Sequence, residues 1–424
     1  MRFYLNANNM PVLKKHFLNF LLAVVLFTRA YAQQDTIEFT FKNYGIHAEN
    51  EISNSEHLSD FFERLYQLQK GTSQQVNIIQ IGDSHIQADL FSGTVRQNIQ
   101  KDFGNAGRGL IVPGKVARTN EAYNIVTSSP FRWDAKRCIF PDQPLPIGVG
   151  GITISIQEPN ANLRIKTINY SSMDYSFDRV TLFYQKDLTS YNFVIRDSAQ
   201  QDLAFIGPFT FEPFPNSSKV VLPKKRNEII IQALPPNPNQ IQATIFGISL
   251  ENGKNGVIYH AIGVNGAKYR HYNDAKYFAE QTAPLYPDLF ILSLGTNEAL
   301  DYPYIDPQLS NHIDKLIESL KANNPGVKFL LTVPPDSYRK KTRRNPGIER
   351  VRDVIIGYAN QHQLAYWDLY GAAGGKHSAD VYRKNKLLQP DGVHFTRDGY
   401  ELQGNLLYDA LMKGYNTYVS YRHP

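Results

Sequence analysis

Four short segments of this sequence hold residue types that could cooperate in acyl transfer. Gly82-Asp83-Ser84-His85 offers a hydroxyl, and Gly263-Val264-Asn265-Gly266-Ala267 offers glycine-rich backbone amides. Gly295-Thr296-Asn297-Glu298 offers a side-chain amide, and Asp391-Gly392-Val393-His394 offers a carboxylate three residues from an imidazole. An alcohol is a poor nucleophile at neutral pH, so Ser84 needs a base within hydrogen-bond reach. His394 can take that proton, while Asp391 can hold the imidazole tautomer and stabilise the protonated ring. A tetrahedral intermediate needs donors for its oxyanion. The candidates are the backbone N–H of Ser84, the N–H of Gly266 and the side-chain amide of Asn297. The absent Cβ of Gly266 is expected to permit close backbone approach. Alone, each segment reads as an ordinary turn. Together, in this order, they make a serine-hydrolase inventory.

Elements that could position these turns are legible on both sides of them. Short apolar runs at 76–80, 257–261, 289–294, 328–333 and 364–367 read as buried parallel strands. Helical spacing recurs at 55–70, 89–103, 267–281, 310–323, 348–362 and 398–413. Repeated strand–helix units imply a parallel sheet covered by helices on both faces. In such sheets the active site lies beyond the carboxyl ends of the strands, where three of the four segments fall. Asp89 is expected to cap the helix that follows it. Asp83 is expected to hydrogen-bond the turn that presents Ser84, and His85 either lines the pocket or packs beneath it. Lys268, Arg270 and His271 read as solvated. A further run at 35–42 alternates like a short strand.

Between residues 105 and 252 the helical period disappears. Six β-like runs, at 152–157, 163–168, 180–184, 191–195, 228–232 and 241–250, are punctuated by Pro, Asn and Gly at the spacing of an all-β sandwich. The segment is far too long for a loop within a compact domain. The expected organisation is therefore a discontinuous α/β domain, residues 33–104 and 253–424, interrupted by an inserted β-sandwich over 105–252. A chain of 424 residues has room for two such cores.

The N-terminus reads as an export signal over residues 1–32. Lys14, Lys15 and His16 precede an apolar run from Phe17 to Phe27, and Ala30-Tyr31-Ala32 offers a cleavage site. The run is too short to span a bilayer, so no permanent membrane anchor is expected. Met10 is an alternative start. Residues 1–32 hold four basic and no acidic residues, so their removal leaves 41 basic against 39 acidic groups. Near-neutrality of that kind is no nucleic-acid footprint. Cys138 is the sole cysteine, which excludes an intrachain disulfide and a thiolate metal site.

The blocks Gly82-Asp83-Ser84, Gly266, Gly295-Thr296-Asn297 and Asp391-Gly392-Val393-His394 resemble those of the SGNH (GDSL-type) hydrolases. That resemblance implies a flavodoxin-like α/β/α sandwich and no metal or organic cofactor. It implies Ser84, Asp391 and His394 as the triad, with Ser84, Gly266 and Asn297 as oxyanion donors. His85 stands where the lipase-type block usually has Leu. Gly-Asp-Ser-His followed by Gln87-Ala88-Asp89 is similar to the bacterial peptidoglycan O-acetylesterases, which carry a carbohydrate-binding-like β-domain after the first helix. The expectation is an exported, periplasmic or extracellular esterase that removes O-acetyl groups from a polysaccharide such as peptidoglycan. Two alternatives stay open: an O-acetyltransferase or lipase/thioesterase with the same triad, and a non-catalytic glycan-binding protein on a hydrolase scaffold.

Overall fold

A computed structural model describes residues 36–46, 48–140, 145–169, 173–209 and 213–422. The expected export signal at 1–32 and both candidate starts lie outside the described residues. One six-stranded sheet organises the chemistry. Its order is Ile52–Ser53, Ala365–Asp368, Lys328–Val333, Leu289–Ser293, Gln75–Gly82 and Gly256–Gly263. The first pairing is antiparallel and the rest are parallel. Numbered along the chain, the five parallel strands run 2-1-3-4-5, a doubly wound order whose crevice opens between the first and third strands. Ser84 follows the first and Asn297 the third.

Strand periodicity sorts the sheet's side chains between two apolar layers. Ile79, Ile81, Phe290, Leu292, Phe329 and Leu331 pack on one face with the helices Leu309–Asn323 and Gly347–Gln361. Ile78, Ile291, Leu330 and Trp367 pack on the other with Ser59–Gln69, Phe91–Phe103 and the long Arg397–Arg422 helix. Among the described residues no helix is long and apolar enough to cross a membrane.

Two antiparallel sheets occupy the 105–252 segment. One runs Asp202–Ile206, Asn192–Arg196, Glu228–Leu234, Asn162–Thr167, Ile125–Ser128. The other runs Ser217–Arg226, Phe177–Tyr184, Ala243–Glu251, Ile152–Ile156, Asp134–Arg137, with Gly107–Ile111 pairing to Ala243–Glu251. Their interior side chains, among them Leu163, Phe193, Leu182 and Ile248, share one continuous core with the parallel sheet. The segment leaves and returns at adjacent points, since Asn105 bridges to Val257 and the Asn252 N–H donates to the Ala106 carbonyl.

Three sequence-based expectations need correction. The run expected as a strand at 35–42 forms none over its described residues, 36–42. Instead, Ile37 exchanges backbone hydrogen bonds with the Asn416 amide, and Phe39 packs edge-on against Tyr408 of the last helix. The helix expected at 267–281 is two pieces, Tyr269–Asn273 and the 3-10 turn Glu280–Leu285. Between them the Tyr277 N–H donates to Ile147 of the inserted segment, a tertiary bond that replaces the helical one. Asp89 does not cap its helix, because its backbone is left-handed at φ +59° and its carboxylate is buried. It receives hydrogen bonds from Ser92, Arg96 and Arg108, which clamps the Phe91–Phe103 helix to the first strand of the inserted segment. Next to this ion cluster, His260 is driven down to about 3 by burial and by Arg96 and Arg108, and its Nδ1 accepts from the Leu110 N–H.

Candidate active site

Gly263, Gly82 and Ser293 stand side by side in register, so three strands end at one level. The turns that leave them carry Gly266, Ser84 and Asn297. Asp83 precedes a four-residue helix, Ser84–Gln87, and its Oδ1 accepts from the His85 N–H at 2.9 Å. Ser84 is thus the first residue of a helical turn, where a backbone N–H has no intrahelical acceptor.

Across the crevice, the loop before the last helix presents the base. His394 Nε2 lies 2.9 Å from Ser84 Oγ, and His394 Nδ1 lies 2.8 Å from Asp391 Oδ2. Asp391 Oδ1 accepts from the N–H groups of Val393 and His394 at 2.8 and 2.9 Å, which closes the loop upon itself. Partial burial raises the Asp391 carboxyl, but the bonds from Val393 and His394 outweigh it and hold the group below its ordinary value. Carboxylate, imidazole and hydroxyl therefore form one hydrogen-bonded chain.

Gly266 and Asn297 line the same cavity as Ser84, Asp391 and His394, a space of about 540 Å³. Gly266 is exposed, and a Cβ there would meet only Ile139 Cδ1 at 3.7 Å. Close approach is therefore not what demands glycine in this structure; the backbone is, at φ +80°. Asn297 Nδ2 donates to Asp83 Oδ2 at 3.1 Å and to the Ala267 carbonyl at 3.0 Å. An oxyanion would have to displace one of these acceptors to receive the Asn297 amide.

His85 packs beneath the site. Its ring stacks on His394 with centroids 5.5 Å apart, its Nδ1 meets Asp83 Oδ1 at 2.9 Å, and its Nε2 meets the Val393 carbonyl at 3.2 Å. Both partners are acceptors, an arrangement that favours the doubly protonated ring. Burial lowers the His85 pKa, but the Asp83 carboxylate and the Val393 carbonyl overcome it and leave the pKa raised. His85 thus ties the serine turn to the loop that bears Asp391 and His394. Of the residues read as solvated, Arg270 is exposed, Lys268 pairs with Asp301, and His271 Nδ1 accepts from the Lys268 N–H.

Sequence reasoning missed two residues that brace the site. Gln87, buried, donates from Nε2 to Thr119 Oγ1 at 2.8 Å and to the Asn120 carbonyl at 3.1 Å. Its Oε1 accepts from the Asn265 N–H at 2.6 Å. One amide thereby joins the serine helix, the Gly266 turn and a loop of the inserted segment, and Asn120 of that loop reaches the cavity wall. Glu298 is buried, and burial pushes its carboxyl up to about 7. Its Oε1 accepts from the Tyr269 N–H at 2.9 Å, which braces the far side of the Gly266 turn. The only local signal for either residue was its place beside a motif.

Residues 239–402 match the GDSL-like lipase/acylhydrolase family, which supports an ester hydrolase. Among solved structures, a peptidoglycan O-acetylesterase is 21% identical with a TM-score of 0.71, over 89% of this chain and 99% of that one. At this identity the likeness shows the fold alone, a parallel-stranded sheet with additional antiparallel sheets. A lipase/acylhydrolase from Enterococcus faecalis is 23% identical over 38% of this chain and 77% of that one, with a TM-score of 0.30. A family two carbohydrate esterase from Cellvibrio japonicus is 13% identical over 68% of this chain and 99% of that one, with a TM-score of 0.29. No curated protein matches the chain.

Proposed function

We propose that this protein is an exported serine esterase that removes O-acetyl groups from a polysaccharide, peptidoglycan in particular. The observation that carries the reading is the hydrogen-bonded chain Asp391–His394–Ser84 at the mouth of a cavity. Ser84 Oγ attacks the acetyl carbonyl as its proton passes to His394 Nε2, and the intermediate's charge falls to the Ser84 and Gly266 N–H groups and the Asn297 amide. Collapse breaks the bond to the sugar oxygen, which leaves with the proton from His394. Water, deprotonated by the same imidazole, then attacks the acetyl-enzyme, and acetate departs with Ser84 reprotonated.

The cavity lining joins Asn120, Asn265 and Gln389, which can hydrogen-bond a hydroxylated backbone, to the apolar surface of Ala88, Leu90, Leu300, Val393, Phe395 and Tyr400. In this reading residues 33–104 and 253–424 are one discontinuous catalytic domain. The antiparallel sheets of 105–252 are an inserted sandwich that contributes a wall of the cleft.

The test is acetate release from O-acetylated peptidoglycan, xylan and pectin by the purified protein and by Ser84→Ala. Release from peptidoglycan that disappears in the variant is the expected result. Release that survives in Ser84→Ala overturns the triad, and cleavage of long-chain esters in preference to acetyl esters overturns the acyl assignment.

A further inference from the structure

A second cavity of about 540 Å³ adjoins the catalytic one, and Leu90 stands in the wall of both. Three parts of the chain build it. Thr94 and Gln97 come from the Phe91–Phe103 helix, Arg397, Glu401 and Asn405 from the Arg397–Arg422 helix, and Tyr123 from the inserted segment. Leu90 aside, every one of these side chains ends in a hydrogen-bonding group.

The groove is held in shape. The Tyr123 N–H donates to the Ala88 carbonyl of the serine turn at 3.2 Å, and the Tyr123 hydroxyl accepts from Gln97 Nε2 at 2.5 Å. A Cβ at Gly93 would stand 2.8 Å from the Tyr123 ring, so glycine there lets the ring lie against the helix. The Arg397 guanidinium lies 5.4 Å from the centre of that ring. Asn405 is tied to Asn98 across the two helices at 2.9 Å.

We propose that this groove is a glycan subsite that holds the sugar next to the one whose ester lies at Ser84. The proposal rests on the esterase reading above and adds where the chain runs: past Leu90 and between the two helices. The lining selects the ligand class. An alkyl chain would strip water from the remaining donors and acceptors of Gln97, Glu401 and Asn405 and put nothing in its place, which is costly. A phosphate backbone would need net positive charge, whereas one guanidinium and one carboxylate offset each other here. A polyhydroxylated, N-acylated sugar can use amide, hydroxyl, carboxylate and guanidinium together, with a phenol ring beside them.

Two measurements test this. The first is the ratio of kcat/KM on O-acetylated peptidoglycan strands to kcat/KM on p-nitrophenyl acetate, for wild type, Gln97→Ala and Arg397→Ala. Each substitution should lower that ratio about three- to tenfold, mainly through KM on the strands, as the loss of one or two hydrogen bonds predicts. An unchanged ratio overturns the subsite. The second is titration of Ser84→Ala with peptidoglycan-derived oligosaccharides lacking acetyl esters, followed by NMR. Binding that weakens in the Ser84→Ala/Arg397→Ala protein supports the subsite; binding that is absent or indifferent to Arg397 overturns it. Because this titration needs no turnover, it stands even if wild type releases no acetate from any glycan, an outcome that defeats the esterase reading alone.

Discussion

The two sides of the proposed triad are held by different means. Around Ser84 the supporting groups are buried, with Asp83, His85 and Gln87 at 1%, 7% and 8% exposure. Across the crevice the Asp391 and His394 side chains are 46% and 41% exposed. Burial lets hydrogen bonds on the serine side act at full strength, whereas water competes on the base side. The base loop makes up for this with contacts to its neighbours. The Tyr338 N–H donates to the Gly392 carbonyl, the Gln389 N–H to the His394 carbonyl, and His85 supports both the Val393 carbonyl and the His394 ring. A solvated base is therefore positioned by a buried neighbour, and rigidity is transferred from one side to the other.

That contrast breaks most completely at the reacting atoms. Ser84→Ala and His394→Ala should each lower kcat on an acetyl ester by on the order of 10⁵-fold or more, measured by acetate release. Asp391→Asn should cost about 10³- to 10⁴-fold, since it leaves the imidazole in the wrong tautomer; a loss below tenfold would mean that solvent already replaces the carboxylate. Asn297→Ala should lower kcat about 10²- to 10³-fold with little change in KM, the signature of a donor used in the transition state.

Gln87→Ala tests the buried brace. It should lower kcat about tenfold through misplacement of the Gly266 turn, with fluorophosphonate labelling of Ser84 slowed to match. Equal labelling rates would confine Gln87 to folding. The smallest effect is a pH dependence. The pKa of His85 is raised in the fold, so the stability it contributes is full below its unfolded value of about 6.5 and fades as pH rises through the folded value. The Tm gap between wild type and His85→Phe should thus be widest in mild acid and narrow toward alkaline pH. A gap that widens with pH would mean that His85 is neutral.

Most of the candidate site was legible because each part is a short motif, three of them at strand ends and one before the last helix, where local sequence and fold position coincide. Gln87 was not, because its partners at Thr119, Asn120 and Asn265 are distant in sequence and side-chain amides carry no periodicity. The antiparallel region shows the same boundary. The six runs read as strands are the six interior strands of its two sheets. Five strands were missed: Asp202–Ile206, Ile125–Ser128, Ser217–Arg226 and Asp134–Arg137, which end the two sheet orders, and Gly107–Ile111, which pairs within its sheet only to Ala243–Glu251. Edge strands face water and carry the residues that discourage further pairing. Ser217–Arg226 contains Pro223, Lys224 and Lys225 and loses register between Val221 and Arg226, which hides its alternation.

The level ending of Gly263, Gly82 and Ser293 also sets an order in time. Ser84 is made early, but the strand that pairs beside it at Gly256–Gly263, and the turns bearing Gly266, Asn297 and His394, follow the whole antiparallel region. A nascent chain therefore carries the proposed nucleophile without the Gly266 and Asn297 donors through the whole antiparallel region, and without His394 until synthesis is nearly finished. Contacts so far apart in sequence also close slowly. On the proposed function, reactivity toward esters is consequently gained only once His394 is in place, and a product truncated before it would hold an ordinary, unreactive serine.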